Sequence, residues 1–477
     1  MAFADHGVCR PWCLLTTAFA DHGVCRFLEL SMDLLLAFLI FIGGVAACLL
    51  TGRSILYALL LGLLCFLLLA RRRGLPWRSL PRLAWQGAKT ALPVVKVMLC
   101  IGCLTALWRA SGTIAYCVYY GLELISPRLF LMIAFLLPLL LSFMLGTSFG
   151  VCGTAGVVLM ALARGGGVNP LLTAGVVLAG AYFGDRCSPS SSAGLLACTV
   201  TGVDHQSYVK MMLRTSILPL AICFLVYGLL STAHPISQVD GSVSQALATG
   251  FHLHWLCLIP ALVLLILPWC KLSIFNSLAI SAGLALILAL TLQGQALGST
   301  LLSCLLGWQM PGGDSLAATL SGGGIVSMAT ACGVVLLSNS YSGLFRGANM
   351  LAGLEEKLSA LTGKLGLFPT QTLTALLAGG VFCNQAIGTV LGSQLLGNVY
   401  QRSGASQMEL AVDLGSSIMT IAGLIPWSVA SSVPLAMLDA GRSALLWAVY
   451  LYAIPICYFF TKSIWFPVRQ RRKQAAD

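Results

Sequence analysis

The residues best suited to chemistry lie in one short run, Gly184-Asp-Arg-Cys-Ser-Pro-Ser-Ser-Ser192, between the apolar stretches 171–178 and 195–200. Asp185 is one of the few carboxylates of the chain set in an apolar context, and Pro189 lacks an N–H and breaks the helix around it. The hydroxyls of Ser188, Ser190, Ser191 and Ser192, with carbonyls that the break frees, make an oxygen-rich set of the kind a small hard cation prefers. Sodium or a proton at Asp185 suits it. The competing reading is a charged Gly/Ser/Pro loop at a membrane surface, where Asp185 and Arg186 are simply solvated.

Upstream, Gly146-Thr-Ser-Phe-Gly-Val-Cys-Gly-Thr-Ala-Gly156 holds four Gly and three hydroxyl residues in eleven positions, a composition that weakens any helix. In lipid, irregular backbone survives only where protein or a water-filled cavity satisfies the freed N–H and C=O groups. This run is therefore expected to be a helix break or a re-entrant tip lining a site. The C-terminal half repeats the theme more faintly. Phe382-Cys-Asn-Gln-Ala-Ile-Gly-Thr389 and Ile425-Pro-Trp-Ser-Val-Ala-Ser-Ser-Val-Pro434 interrupt apolar stretches, and offer Asn384, Gln385, Thr389, Ser428 and Ser431 as site candidates. Interrupted apolar segments at corresponding places in two halves point to a transporter's midplane site between inverted repeats.

The elements that must position these residues are membrane helices. Of 477 residues, 58% are hydrophobic and only 9% charged, against about a quarter charged in soluble domains. Apolar runs of about 20 residues recur from Leu34 to Phe460, enough for roughly 10 to 13 crossings, some of them broken. The expected fold class is an all-α polytopic membrane protein. Residues 32–232 form its N-terminal half with the main site motifs, and 233–477 its C-terminal half. Residues 1–31 read as a leader outside the fold, because Ala2–Arg10 recurs identically as Ala18–Arg26, with Met32 as a later start.

The net charge of +12 does not form a basic face with interleaved aromatics, so no nucleic-acid partner is expected. The Lys and Arg residues mark span ends instead. Arg71, Arg72, Arg73, Arg78, Arg82 and Lys89 crowd one loop and Arg469, Arg471, Arg472 and Lys473 the tail, which places both in the cytoplasm. The loop Ser231–Gly250 has no Lys or Arg and is the best extracytoplasmic segment. Both termini are expected inside a bacterial cytoplasmic membrane. Lys96 sits in an apolar run, either as a functional charge or snorkelling to the interface. The eighteen Cys are scattered through apolar spans, and Cys100-Ile-Gly-Cys103 has no second ligand pair, so packing is the expectation. His252 and His254 suit a wet interface better than a metal.

Three of these motifs carry a family resemblance. Gly112–Pro127 (GTIAYCVYYGLELISP), Gly146–Gly156 and Gly180–Pro189 (GAYFGDRCSP) resemble the NhaC family of sodium/proton antiporters, and Gly423–Ser432 (GLIPWSVASS) is similar to its Ile-Pro-Trp segment. The resemblance implies two inverted repeats with broken helices and re-entrant hairpins, exchanging internal sodium for external protons. It also implies a cation or proton site at Asp185, with Thr147, Ser148, Thr154, Ser188 and Ser191 as ligands. The family pattern continues Ser-Pro-Leu-Ser-Asp, and its second acidic residue falls here on Ser192. One carboxylate then has to serve both sodium and proton.

Sodium/proton antiport is accordingly the leading expectation. The alternative is a sodium- or proton-coupled carrier or exchanger of a small carboxylate or amino acid, recognised by the hydroxyls and amides of the breaks. Catalysis is not expected, since no H-E-x-x-H, nucleophile elbow or cofactor fingerprint occurs. The expected partners are the lipid bilayer and the transported ions, with a homodimer as the expected assembly and no cofactor beyond the transported sodium and protons.

Overall fold

A computed structural model describes residues 22–124, 126–235, 247–270, 272–310, 321–348, 350 and 354–467. The first copy of the duplicated nonapeptide and the basic tail lie outside the described residues, while the end of the second copy, from His22, opens the first helix. Chain order begins with α1 (His22–Leu50), α2 (Ile55–Arg72), α3 (Leu80–Lys89), α4 (Leu92–Ala110), α5 (Thr113–Leu124) and α6 (Phe130–Leu145). Next come α7 (Ser148–Val151), a π-helical turn (Cys152–Gly156), α8 (Val157–Gly165), α9 (Pro170–Cys187), α10 (Ser192–Thr201) and α11 (His205–Ala233). The remainder comprises α12 (Ile259–Ile266), α13 (Ile274–Thr291), α14 (Leu297–Leu306), α15 (Ala329–Gly347), α16 (Leu354–Leu365), α17 (Leu367–Phe382) and α18 (Gln385–Arg402). It ends with α19 (Gln407–Ser416), α20 (Ile418–Leu424), α21 (Val429–Met437) and α22 (Val449–Trp465).

The sequence sets helix ends by capping. Asn169 accepts the Leu171 N–H at 2.9 Å with Pro170 preset in the first turn of α9, and Asp204 accepts the Ser207 N–H at 2.9 Å to start α11. Those Ser207 bonds hold the Asp204 carboxyl below its ordinary range. Large apolar side chains such as Leu225 and Phe460 face outward on the long helices, as a lipid-facing surface requires. Inside, the Phe41, Phe66, Tyr341 and Phe345 rings pack α1 and α2 against α15.

Among the described residues, six helices are long and apolar enough to cross a membrane, and a seventh span is a bent pair, 407–424 with 429–437, angled by 53°. Several other apolar helices are only 10–17 residues long. The roughly 10 to 13 crossings expected from apolar runs take in such shorter helices as well.

One sequence of events occurs twice. In the first half α6 ends at left-handed Gly146, extended Thr147 caps α7, and α9 breaks over 188–191 before α10. In the second, α17 ends at left-handed Cys383 (φ 53°), extended Asn384 caps α18, and the α19–α20 run breaks over 425–428 before α21. Cys383 adopts a backbone conformation that ordinarily favours glycine.

Close approach at these turns depends on missing side chains. Gly180 and Gly184 of α9 lie against α6, where an added Cβ on Gly184 would fall 2.0 Å from the Ser142 carbonyl oxygen. Gly184→Ala is expected to cost about 1–3 kcal/mol through overpacking. Gly397→Ala, whose methyl meets nothing within 4 Å, should leave stability nearly unchanged. Melting temperatures of the two detergent-solubilised variants check the contrast, and an unperturbed Gly184→Ala protein would contradict it.

Candidate functional site

Asp185 sits in the last turn of α9, where the start of α7 comes up against it. Its Oδ1 accepts the Ser148 backbone N–H at 2.9 Å and its Oδ2 accepts the Ser148 hydroxyl at 2.6 Å. A helix start presents unpaired N–H groups and positive partial charge, so it favours a carboxylate there. Thr147 accepts the Gly150 N–H at 3.4 Å and fixes that start. Ser142 fastens α6 to α9, donating to the Gly180 carbonyl and accepting the Gly184 N–H, each at 3.0 Å.

The break beyond Asp185 is internally bonded. Ser191 donates to the Asp185 carbonyl at 2.5 Å and accepts the Gly194 N–H at 3.0 Å, while Ser188 accepts the Ser190 N–H at 3.1 Å. Ser190 reaches back to the Met144 carbonyl at 3.2 Å, so the α9–α10 break and the α6–α7 turn close on each other. Ser148, Ser188 and Ser191 are buried, Asp185 is partly exposed, and Pro189 and Ser190 are exposed. A carboxylate with two donors retains lone pairs for a cation or a proton and is reachable from outside.

Of the sequence candidates, Thr147, Ser148, Ser188 and Ser191 converge on this junction with Asp185. Thr154 lies in the π-helical turn and donates to the Gly150 carbonyl at 2.8 Å. Six residues along the helix place it about 9 Å from Ser148. Ser192 opens α10 with its side chain exposed and does not bond Asp185.

The second-half candidates meet at their own junction. Asn384 caps α18 by accepting the Ala386 N–H at 2.9 Å and donates to Asn339 of α15 at 3.0 Å. Ser428 donates to the Cys383 carbonyl at 3.2 Å, which also receives the Val429 N–H at 2.7 Å. Ser431 donates to the Ile425 carbonyl, Thr389 to the Gln385 carbonyl at 3.0 Å, and the Gln385 amide nitrogen has no partner among the described residues. Tyr182 of α9 joins the junctions by donating to the Ala430 carbonyl.

Two charged features escaped the sequence reading. Arg186 is buried among neutral groups: the carbonyls of Gly415 and Met212 at 3.2 and 3.1 Å, Thr215 and Ser416 hydroxyls at 2.8 and 3.0 Å, and Ser216. Beyond it, Lys462 of α22 pairs with Asp413 and, at 2.9 Å, with Glu409, both on α19. Tyr400 and Tyr458 donate to Asp413 at 2.5 and 2.8 Å. The signal was available, since charges at membrane depth are costly, but pairing α19 with the last span required the fold.

Other motifs settle into packing. Lys96 is exposed near the start of α4, over the Phe275 ring at 5.2 Å, as snorkelling predicts. No metal-binding group of His, Cys, Asp and Glu occurs among the described residues. The glycine run 322–324 brings backbones together, with the Gly324 N–H on the Gly102 carbonyl at 2.7 Å.

An all-helical membrane body in which a reachable carboxylate lies between paired helix breaks defines a secondary transporter. The chain belongs to the Na+/H+ antiporter family, whose model matches residues 30–232 and 209–464. It is 30% identical over 383 residues to an uncharacterized Na(+)/H(+) antiporter of Haemophilus influenzae, covering 77% of this chain and 81% of that one. It is 26% identical over 368 residues to a malate-2H(+)/Na(+)-lactate antiporter of Bacillus subtilis (76% and 79% covered). Against the Na(+)/H(+) antiporter NhaC of Alkalihalophilus pseudofirmus the identity is 24% over 361 residues (75% and 78%).

Removing Lys462 strands two buried carboxylates, so Lys462→Met is expected to destabilise the protein by about 3–5 kcal/mol. Adding Asp413→Asn should recover part of that loss, because the two effects share one network. Thermal melts of the single and double variants measure this, and strict additivity would show that the cluster does not act as a unit.

Proposed function

We propose that this chain exchanges sodium for protons across a bacterial cytoplasmic membrane by alternating access, with Asp185 holding either a proton or a sodium ion. The observation that carries the reading is the Asp185 carboxylate, partly exposed beside an opened helix and bonded, among the described residues, by Ser148. The remaining lone pairs of Asp185, with the Ser148 and Ser188 hydroxyl oxygens, are the ligands offered to sodium. Neutral donors leave the carboxylate free to trade its counterion.

Movement is proposed to come from the twice-used arrangement of turn, cap and broken helix. Tyr227 near the end of α11 accepts the N–H of Val449 at the start of α22, so these helices run in opposite directions. Opposed directions suit two inverted repeats that rock about the junctions joined by Tyr182. The basic loop at Arg71–Lys89 supports a cytoplasmic location for that end of the bundle, and the basic tail the same for the C-terminus.

A second reading, coupling sodium and protons to a small organic acid, is favoured by the relative named as a malate/lactate exchanger. Adding organic acids to either side leaves the exchange rate unchanged under the first reading and alters it under the second.

In proteoliposomes, sodium-driven proton movement should be abolished by Asp185→Asn and reduced by Ser148→Ala. Because one carboxylate serves both ions, the apparent sodium affinity should fall about tenfold per pH unit once protons dominate, by mass action at a single site. Sodium affinity independent of pH, or exchange persisting in Asp185→Asn, would sink the assignment.

A further inference from the structure

A polar cavity lies along α8, its lining running from Val157 to Arg164, about 14 to 24 Å along the helix from Ser148. It has a volume of about 360 Å³ and forms where α4, α8, α21 and the Gly322–Gly323 turn meet. That is within the range of small-ligand pockets. Its distinguishing group is Arg109, in the last turn of α4 and only 8% exposed. Arg109 Nη1 donates to the Thr105 carbonyl at 3.2 Å, but Nε has no hydrogen-bond partner among the described residues. A buried guanidinium with an unmet donor is expensive unless something supplies the acceptor.

The second cation of the cavity is already matched. Arg164 pairs with the exposed Asp439 carboxylate at 3.0 Å and donates to the Asp439 carbonyl at 2.6 Å. The Asp439 charge also acts on Arg109, so two guanidiniums share one carboxylate and one positive charge remains to be met. Access to it is kept open by Gly322 (φ 128°), where an added Cβ would stand 3.7 Å from Arg109 Nη2. Ile114, Met160 and Leu435 supply apolar wall.

We infer that this cavity binds a small monocarboxylate anion, its carboxylate forked on Arg109 and its short alkyl part against the apolar wall. The planar guanidinium matches a carboxylate by two parallel hydrogen bonds, and a single unmatched charge selects a monoanion over a dianion. The site stands apart from Asp185 and rests on neither reading of what is carried.

Equilibrium binding to the purified full-length chain tests it, using propionate as its N-methyl-D-glucamine salt, with propionamide, succinate and inorganic phosphate at matched ionic strength. Propionate should raise the melting temperature saturably, as a ligand of the folded state does, and propionamide should not. Arg109→Gln should weaken propionate by about tenfold or more, the effect of losing a charged hydrogen-bond partner. Asp185→Asn should leave propionate binding intact, which separates this site from the proposed exchange. Should Arg109→Gln fail to fold, Ala161→Trp fills the cavity while keeping Arg109, and it too should abolish the shift. No saturable shift, equal stabilisation by propionamide, tighter binding of succinate or phosphate, or unchanged affinity in a folded Arg109 or Ala161 variant each overturns the proposal.

Discussion

The architecture depends on one rule of the bilayer: a backbone group released from its helix must find another partner, because lipid offers none. Each interruption here meets that rule by lying against a second interruption. Cys383, where α17 turns, lends its carbonyl to Val429 and Ser428 at the neighbouring break. On the other side, Ser190 of the α9–α10 break reaches the carbonyl of Met144 just before the α6–α7 turn. The breaks therefore occur in pairs, and small residues accumulate where two turns must touch. An added Cβ on Gly146 would stand 2.5 Å from the Ser190 backbone. The same geometry sets a helix start, serine hydroxyls and a carboxylate side by side.

Buried charge follows a complementary logic. Arg186 is surrounded by carbonyls and hydroxyls, a short step from the α19 turn that carries Asp413. Counted in their ordinary ionised forms, Arg186 and Lys462 balance Asp413 and Glu409 on that side of the molecule. Asp185 has no ion-pair partner among the described residues. A carboxylate held only by neutral donors is the member of this set that gains most from an incoming positive ion, whereas Asp413 already has Lys462. The two aspartates thus differ in circumstance more than in chemistry, one partly exposed and held by Ser148, the other buried and tied to Lys462.

How much of this was legible in the sequence divides along the same line. Glycine, serine and proline inside apolar runs announce a broken helix without any knowledge of neighbours, so both pairs of breaks and the convergence of Thr147, Ser148, Ser188 and Ser191 on Asp185 could be read directly. Thr154 and Ser192 show where that reading stops. Both lie in polar runs, yet one spends its hydroxyl inside a π-helical turn and the other faces outward, since side-chain direction depends on helix phase beyond the break. The Lys462 cluster joins positions 49 residues apart, and no local pattern links them. Hydropathy likewise registers apolar length and is blind to whether a stretch crosses whole or turns back halfway.

The Arg186 cradle also has a consequence for how the chain is made. Met212, Thr215 and Ser216 follow Arg186 within 26 to 30 residues, while Gly415 and Ser416 follow 229 and 230 residues later. A buried guanidinium that lacks its hydrogen-bond acceptors is costly. The N-terminal half alone therefore supplies only part of the cradle, and the C-terminal half completes it. Biogenesis and function meet at one side chain, because the contacts that finish Arg186 also bring the second half onto the helix that carries Asp185.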